Sequence, residues 1–180
     1  MSRVLVITTS LRAKSNSDRL AEELIRGASE AGHGVSHISL RNKTIGFCRG
    51  CLACQKTQRC VIRDDAVEIA EKVKAADTLV FVTPIYYYEM SGQMKTLLDR
   101  LNPLYPSDYR FRSIYMLSVA AEAEAYVPEK AVSGLQGWVD CFEKAELTDT
   151  LFCGGINDPG EALEKAAELE EAFQFGLQIR

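Results

Sequence analysis

Three groups of residues in this 180-residue sequence carry side chains suited to chemistry. The first is a hydroxyl-rich loop, Thr8-Thr9-Ser10-Leu11-Arg12-Ala13-Lys14-Ser15-Asn16-Ser17, which follows the apolar run Val4-Leu5-Val6-Ile7. After it, Leu20, Ala21, Leu24, Ile25 and Ala28 recur at helical spacing. A strand that delivers the chain to a helix start leaves backbone N–H groups unpaired at the positive end of the helix dipole, where an anion is stabilised. Ser10, Arg12, Ser15, Asn16 and Ser17 add donors at the same place, so the loop reads as a phosphate cradle. The competing reading is an ordinary strand-to-helix loop with Ser15 or Ser17 as its cap.

The second group is Pro84-Ile85-Tyr86-Tyr87-Tyr88, which ends another apolar run, Asp77 to Thr83. Three tyrosines there offer a wall for a flat ring, or interface and core packing. The third is Cys48, Cys51, Cys54 and Cys60, four thiols within thirteen residues. Thiolates two residues apart can converge on an iron–sulfur cube with Cys60 returning as the fourth ligand. Zinc could use four thiolates, although structural zinc loops more often separate two pairs by a longer span. In the remaining reading the loop packs reduced thiols beside the ring site. Cys141 and Cys153 fall in a helix stripe and a strand, and are expected to be small core residues. His33 and His37 lack a neighbouring acid or thiol pattern and are expected to be surface or packing residues.

The elements that must position these groups alternate along the chain. Val35 to Leu40 alternates with period two, as an edge strand with one exposed face would, after Gly32 and Gly34 close the first helix. Arg41 to Arg63 is a long loop, and loops of that length in a compact domain are usually functional. Asp64 and Asp65 open a second helix, with Asp65 and Glu68 at capping-box spacing and Ile69, Ala70 and Val73 as its stripe. A third helix starts near Ser91, shows Met94, Leu97, Leu98 and Leu101 on one face, and breaks at Asn102-Pro103. Ser113 to Val119 is a fourth strand, running into Ala120-Ala121-Glu122-Ala123-Glu124. Pro128 suits a helix start, with Leu135, Trp138, Val139 and Phe142 as the stripe. Leu147 to Phe152 is the last strand and Glu161 to Phe173 the last helix.

Strands alternating with helices imply an α/β three-layer sandwich: a parallel sheet with right-handed crossovers, covered on both faces. Five strands in this length favour the flavodoxin-like order 2-1-3-4-5, whose ligands sit beyond the carboxyl ends of the strands where the winding reverses. The hydroxyl loop and the tyrosine loop then meet, with the loop after Ser118 beside them. The fold alone leaves a phosphorylation receiver, a nucleotide module and a flavoprotein open. A receiver needs acids where this chain has hydroxyls, Arg12 and Pro84, and neither the Walker pattern nor spaced dinucleotide glycines occur. A mononucleotide with a large flat ring suits what remains.

Composition sets the outer bounds. With 47% hydrophobic residues the chain is expected to form one domain over residues 1–180. A net charge of −4 with dispersed Lys and Arg argues against nucleic acid as a partner. The apolar runs are too short for a membrane span or a signal-peptide core, so the expected location is cytoplasmic, where six cysteines stay reduced or serve as ligands.

The pattern Ser10-Leu11-Arg12 with Ser15-Asn16-Ser17, then Thr83-Pro84-Ile85-Tyr86-Tyr87-Tyr88-Glu89-Met90-Ser91-Gly92-Gln93-Met94-Lys95 and Leu98-Asp99-Arg100, resembles the flavodoxin-like NAD(P)H-dependent FMN reductases. Cys48-x2-Cys51-x2-Cys54-x5-Cys60 followed by Asp64-Asp65 resembles the branch containing the iron–sulfur flavoproteins. The resemblance covers nearly the whole chain. It implies that Ser10, Arg12, Ser15, Asn16 and Ser17 hold the FMN phosphate, that Pro84, Ile85, Tyr86, Tyr87 and Tyr88 border the ribityl chain and isoalloxazine, and that Ser118, Ala120, Ala121 and Glu122 flank the ring. Many relatives begin the first loop with Gly-Ser-Pro-Arg, where this chain has Thr9-Ser10-Leu11-Arg12. An oxidoreductase passing hydride from NAD(P)H to a quinone, flavin, azo or nitro acceptor is implied, needing no protein general base. So is a homodimer or homotetramer. The alternative is a ferredoxin-linked electron-transfer flavoprotein with a 4Fe-4S cluster on Cys48, Cys51, Cys54 and Cys60, and a flavin-free binding module is a further rival.

Overall fold

The computed structural model describes residues Met1–Arg180. Five parallel strands form its centre: β1 (Arg3–Thr8), β2 (Gly34–Ser39), β3 (Thr78–Tyr86), and, beyond the short β4 (Glu89–Met90), β5 (Ser113–Val119) and β6 (Glu146–Cys153). Their order is β2-β1-β3-β5-β6, with β4 paired antiparallel to the end of β3. Counting the parallel strands alone, this is the expected order 2-1-3-4-5, and the winding reverses between β1 and β3.

Alternation along the strands explains the layers. Leu5, Ile7, Leu79 and Phe81 enter a core shared with α3 (Asp65–Ala75), α4 (Gly92–Arg100) and α5 (Glu129–Val139). Val4, Val6, Val80 and Val82 enter a second core with α1 (Asn16–Glu30) and α6 (Ala166–Leu177). The central strands are therefore apolar at nearly every position, and the edge strand β2 buries only Ile38. On the second face α1 and α6 cross at backbone contact. A Cβ on Gly27 would lie 2.1 Å from the Phe173 carbonyl oxygen, and one on Gly176 would lie 2.1 Å from that of Leu24.

Five local features depart from the expectations. The cysteine loop contains a short helix, α2 (Ala53–Thr57), entered and left through left-handed residues Leu52 and Gln58. The tyrosine run folds back as a hairpin onto β4. Asp64, not Asp65, caps α3 by accepting from the Ala66 N–H, while Asp65 accepts from Thr44 N–H and Lys43. The last helix begins at Ala166, after a separate 3-10 turn over Glu161–Glu164. Cys153 is buried as expected, but Cys141 is exposed, because α5 ends at Val139 and its thiol lies in the turn that follows.

Candidate functional site

A buried hydroxyl network fastens the loops at the reversal point. Thr9 donates through its N–H and hydroxyl to the Val82 carbonyl at 3.0 and 3.2 Å, and its hydroxyl shares a 2.9 Å hydrogen bond with that of Ser91. Ser91 caps α4 through the Met94 N–H and donates its own N–H to the Thr83 hydroxyl at 3.1 Å. Thr9, Thr83 and Ser91 are fully buried, and buried hydroxyls left unpaired would be costly. The mutual satisfaction of these groups fixes the β1 loop against the ends of β3 and α4.

Around that anchor lies a cavity of about 290 Å³. Ser10, Arg12, Ser15, Asn16 and Ser17 from the loop after β1, Pro84, Ile85, Tyr86 and Tyr87 from the end of β3, and Ala120 and Ala121 after β5 all border it. Ser15 caps α1 through the Asp18 N–H, and the N–H groups of Asn16 and Ser17 take no partner within the chain. Ser10 accepts from the Arg12 N–H. The Arg12 guanidinium donates to the Asn157 carbonyl at 2.6 Å. Asn16 borders the cavity, but its side chain is spent elsewhere: Nδ2 donates to the Asp158 carbonyl, and Oδ1 accepts from the Gly160 and Ala162 N–H groups. Its amide thus positions the loop after β6, leaving its backbone N–H toward the cavity.

Val119, within the stretch from Ser118 to Glu122 expected to flank the ring, also borders this cavity, as do Ile156 and Asn157, which were missed from sequence. The signal was available, since the loop after the last strand obeys the same carboxyl-edge rule as the others. Three expected residues lie elsewhere. Ser118 stays in β5 with its hydroxyl toward the Leu151 carbonyl, whereas Tyr88 and Glu122 border an adjoining cavity of about 250 Å³. The donors of the first loop, together with Pro84, Ile85 and the tyrosines that border the same cavity, fit a phosphate monoester carrying a planar ring, as in FMN.

The hairpin carries backbone strain. Tyr87 and Tyr88 have φ of 51° and 66°, the type I′ geometry that normally selects Asn-Gly. Bulky residues there cost roughly 1–2 kcal/mol each. Tyr88 is held by its hydroxyl on the Glu122 carboxylate at 3.0 Å and by stacking on Tyr126 at 6.1 Å. The hydrogen bond to Glu122 raises the Tyr88 pKa above the ordinary tyrosine value.

The cysteine loop is closed by a buried ion pair. Arg100, at the end of α4, donates to both Asp64 carboxylate oxygens at 2.7 and 2.8 Å. It also donates to the carbonyls of Gly46 and Ile62, on either side of the four cysteines. Burial opposes the charge on Asp64, but Arg100 and the Gly46 N–H outweigh it and hold its carboxyl below the usual range. Cys48, Cys51, Cys54 and Cys60 all border one cavity of about 20 Å³, and Asn102 Nδ2 donates to the Cys54 sulfur at 3.1 Å. No three His, Cys, Asp or Glu side chains are gathered there or elsewhere in a metal-holding group. The histidines serve packing: His33 bonds Ser2 and Ile179, and His37 bonds Thr8.

Known proteins resemble this chain in sequence and in fold. The family model described as NADPH-dependent FMN reductase matches residues 2–133. An iron-sulfur flavoprotein of Archaeoglobus fulgidus is 27% identical over 173 residues, 96% of this chain and 76% of that protein. One of Methanocaldococcus jannaschii is 36% identical over 102 residues, 57% of this chain but only 53% of that protein's length. Among solved structures, an NAD(P)H:quinone oxidoreductase from Methanothermobacter marburgensis superposes with a TM-score of 0.78 at 20% identity, covering 98% of this chain and 94% of that one. An azoreductase from Bacillus anthracis gives 0.72 at 21%, covering 99% and 100%. At these identities the structures speak for the flavodoxin-like fold.

Proposed function

We propose that this chain, which belongs to the NADPH-dependent FMN reductase family, is a single-domain FMN oxidoreductase over residues 1–180 that moves reducing equivalents from NAD(P)H to a small quinone, flavin, azo or nitro acceptor. The observation that carries this reading is the meeting, across one cavity, of a donor-rich helix start with the tyrosine hairpin. FMN bound there supplies a ring that accepts hydride from a nicotinamide and gives it up to a second molecule. The Ser10, Ser15 and Ser17 hydroxyls, the free N–H groups of Asn16 and Ser17, and Arg12 hold the phosphate. Pro84, Ile85, Tyr86 and Tyr87 orient the ring and keep water from one side of it, with Ala120 and Ala121 opposite. No side chain is asked to act as a general base. The reading also takes the protein to be a cytoplasmic homodimer or homotetramer.

Titration of apo-protein with FMN tests the site. Arg12→Ala removes a charge-assisted contact worth about 1.5–3 kcal/mol, so its Kd should rise roughly 10- to 150-fold with the fold unchanged. An unchanged Kd removes Arg12 from the phosphate site, and failure of the wild type to bind FMN removes the function.

A second reading is favoured by one observation, the four cysteines around a common cavity. In it Cys48, Cys51, Cys54 and Cys60 would hold a 4Fe-4S cluster that exchanges single electrons with a carrier such as ferredoxin; four thiols are the donor chemistry of that group, and the loop would have to draw them together around it. Iron and acid-labile sulfide assays after anaerobic reconstitution decide it. Stoichiometric uptake that is lost in Cys51→Ala supports the cluster, and no uptake by the wild type leaves the simple reductase.

A further inference from the structure

We infer that the turn after β6, Asn157-Asp158-Pro159-Gly160, is a strap fastened to the phosphate loop, and that Asn16 is a positioning residue that acts on the phosphate through this strap and Arg12. The inference rests on the FMN reading above and states how that site retains its phosphate.

Three side chains hold the turn. Asn16, in the first turn of α1 and 6% exposed, donates from Nδ2 to the Asp158 carbonyl at 2.9 Å, and its Oδ1 accepts from the Gly160 and Ala162 N–H groups, both at 3.1 Å. Glu161 accepts the Asn157 and Asp158 N–H groups on one carboxylate oxygen, at 2.7 and 2.9 Å. Arg12 donates to the Asn157 carbonyl at 2.6 Å, and Asn157 borders the same cavity as Arg12 and Asn16.

The backbone of the turn leaves it little choice of shape. Gly160 has a φ of 87°, a conformation that a side chain disfavours, and the ring of Pro159 limits its own φ. At the root of the turn, Ile156 is buried and donates its N–H to the Ala120 carbonyl at 2.9 Å. The strap therefore ties the start of α1 to the loops after β5 and β6, and what loosens it at one end is felt at Asn157.

Asn16 and Arg12, both polar donors of one loop, take different parts. The Asn16 amide is engaged through both its oxygen and its nitrogen, whereas Arg12 spends one guanidinium N–H on Asn157 and keeps the others for an anion. Arg12 is exposed, and a long exposed side chain loses rotamer freedom when it meets a ligand. A carbonyl that already holds the guanidinium lowers that cost. Asn16 has no need to touch the phosphate: it fixes Asn157, Asn157 fixes Arg12, and Arg12 meets the anion. Removing the Asn16 amide frees the strap and leaves the backbone N–H groups of the helix start, which Ser15 caps, where they are.

Titrations of apo-protein with FMN, and with riboflavin, which lacks the phosphate, test the strap in Asn16→Ala, Glu161→Ala and the double variant, each also made in the Arg12→Ala background. Glu161 does not border the cavity, so it reaches the ligand only through the strap. Asn16→Ala should raise the FMN Kd about tenfold and Glu161→Ala about three- to fivefold, with the riboflavin Kd within about twofold of wild type. The double variant should exceed Asn16→Ala by less than about twofold, and both effects should vanish without Arg12, because residues on one path are not additive. Hydrogen exchange at the Asn157 and Asp158 N–H groups should slow when FMN binds the wild type, and exchange indifferent to FMN overturns the coupling. A loss in Asn16→Ala but not in Glu161→Ala, or one that persists without Arg12, puts the Asn16 amide on the phosphate itself and overturns the strap. Equal losses for FMN and riboflavin overturn it too, since both residues then only support the fold. Wild-type protein that binds no FMN overturns the parent reading and the strap with it, whereas FMN binding that neither variant moves removes the strap alone.

Discussion

Replacing Arg100 by methionine should destabilise the protein by about 3–4 kcal/mol and open the cysteine loop. The guanidinium side chain is 0% exposed, and its partner Asp64 is 9% exposed. Removing one member of a buried pair typically costs about 3–5 kcal/mol, because the other charge stays buried without compensation. Asp64 keeps N–H donors from Gly46 at 2.8 Å and Ala66 at 3.2 Å, which places the pair near the bottom of that range. The Gly46 and Ile62 carbonyls also lose their donor, and each such hydrogen bond is worth about 1 kcal/mol net, less where water takes over. Urea unfolding at pH 7 measures the difference, and for a chain of this size it corresponds to a fall in Tm of roughly 10 °C. Tryptic cleavage after the exposed Arg49, Lys56 and Arg59 should accelerate, since the loop ends are no longer tied to α4. Asp64→Asn combined with Arg100→Met should be more stable than Arg100→Met alone, because the orphaned charge is then gone. A loss below about 1 kcal/mol with unchanged trypsin sensitivity would refute the reasoning.

Three further outcomes follow from local physics. Gly27→Ala should cost about 1–3 kcal/mol in urea unfolding, since its Cβ would lie 2.1 Å from the Phe173 carbonyl oxygen and α1 and α6 must separate; a variant as stable as wild type would mean the crossing is loose. Asp77 accepts from the Arg3 backbone N–H, and with Arg110 this draws its pKa down to about 2. A depressed folded pKa makes a contribution that is present above the ordinary carboxylate range and lost as pH falls through 4 toward 2, so Asp77→Asn should remove about 1 kcal/mol at pH 7 after solvent screening and little at pH 2. Burial pushes the Cys153 thiol up to about 12, so native protein should leave it unalkylated at pH 8 while Cys48, Cys51 and Cys141 react, and mass mapping of the labelled sites checks this.

The order of the parallel strands and the meeting of two loops were legible in the sequence because they follow from short-range patterns. Continuous apolar runs such as Val4 to Ile7 require burial on both faces, right-handed crossovers limit the order, and the order places the ends of β1 and β3 together. Ser15 was legible as one of two candidate caps of α1, and the start of α4 near Ser91 was legible too, for the same reason, since a cap acts within its own turn. What the sequence could not determine are contacts between residues far apart along it. Asn16 has the donor chemistry of a phosphate ligand, yet the N–H groups of Gly160 and Ala162 claim its side chain once α1 and the loop after β6 are brought together. Asp64 reads as one of two carboxylates at a helix start, and only the arrival of Arg100 from α4 turns it into the clasp of the cysteine loop. Tyr87 and Tyr88 are adjacent and alike in sequence, but one is anchored to Glu122 and the other left bare, because a two-residue turn sends neighbouring side chains in different directions. Periodicity reports which face of an element is apolar. Which polar atom of that element meets which other is decided by tertiary distance, where hydrogen bonds of about 3 Å form between segments that no local pattern connects.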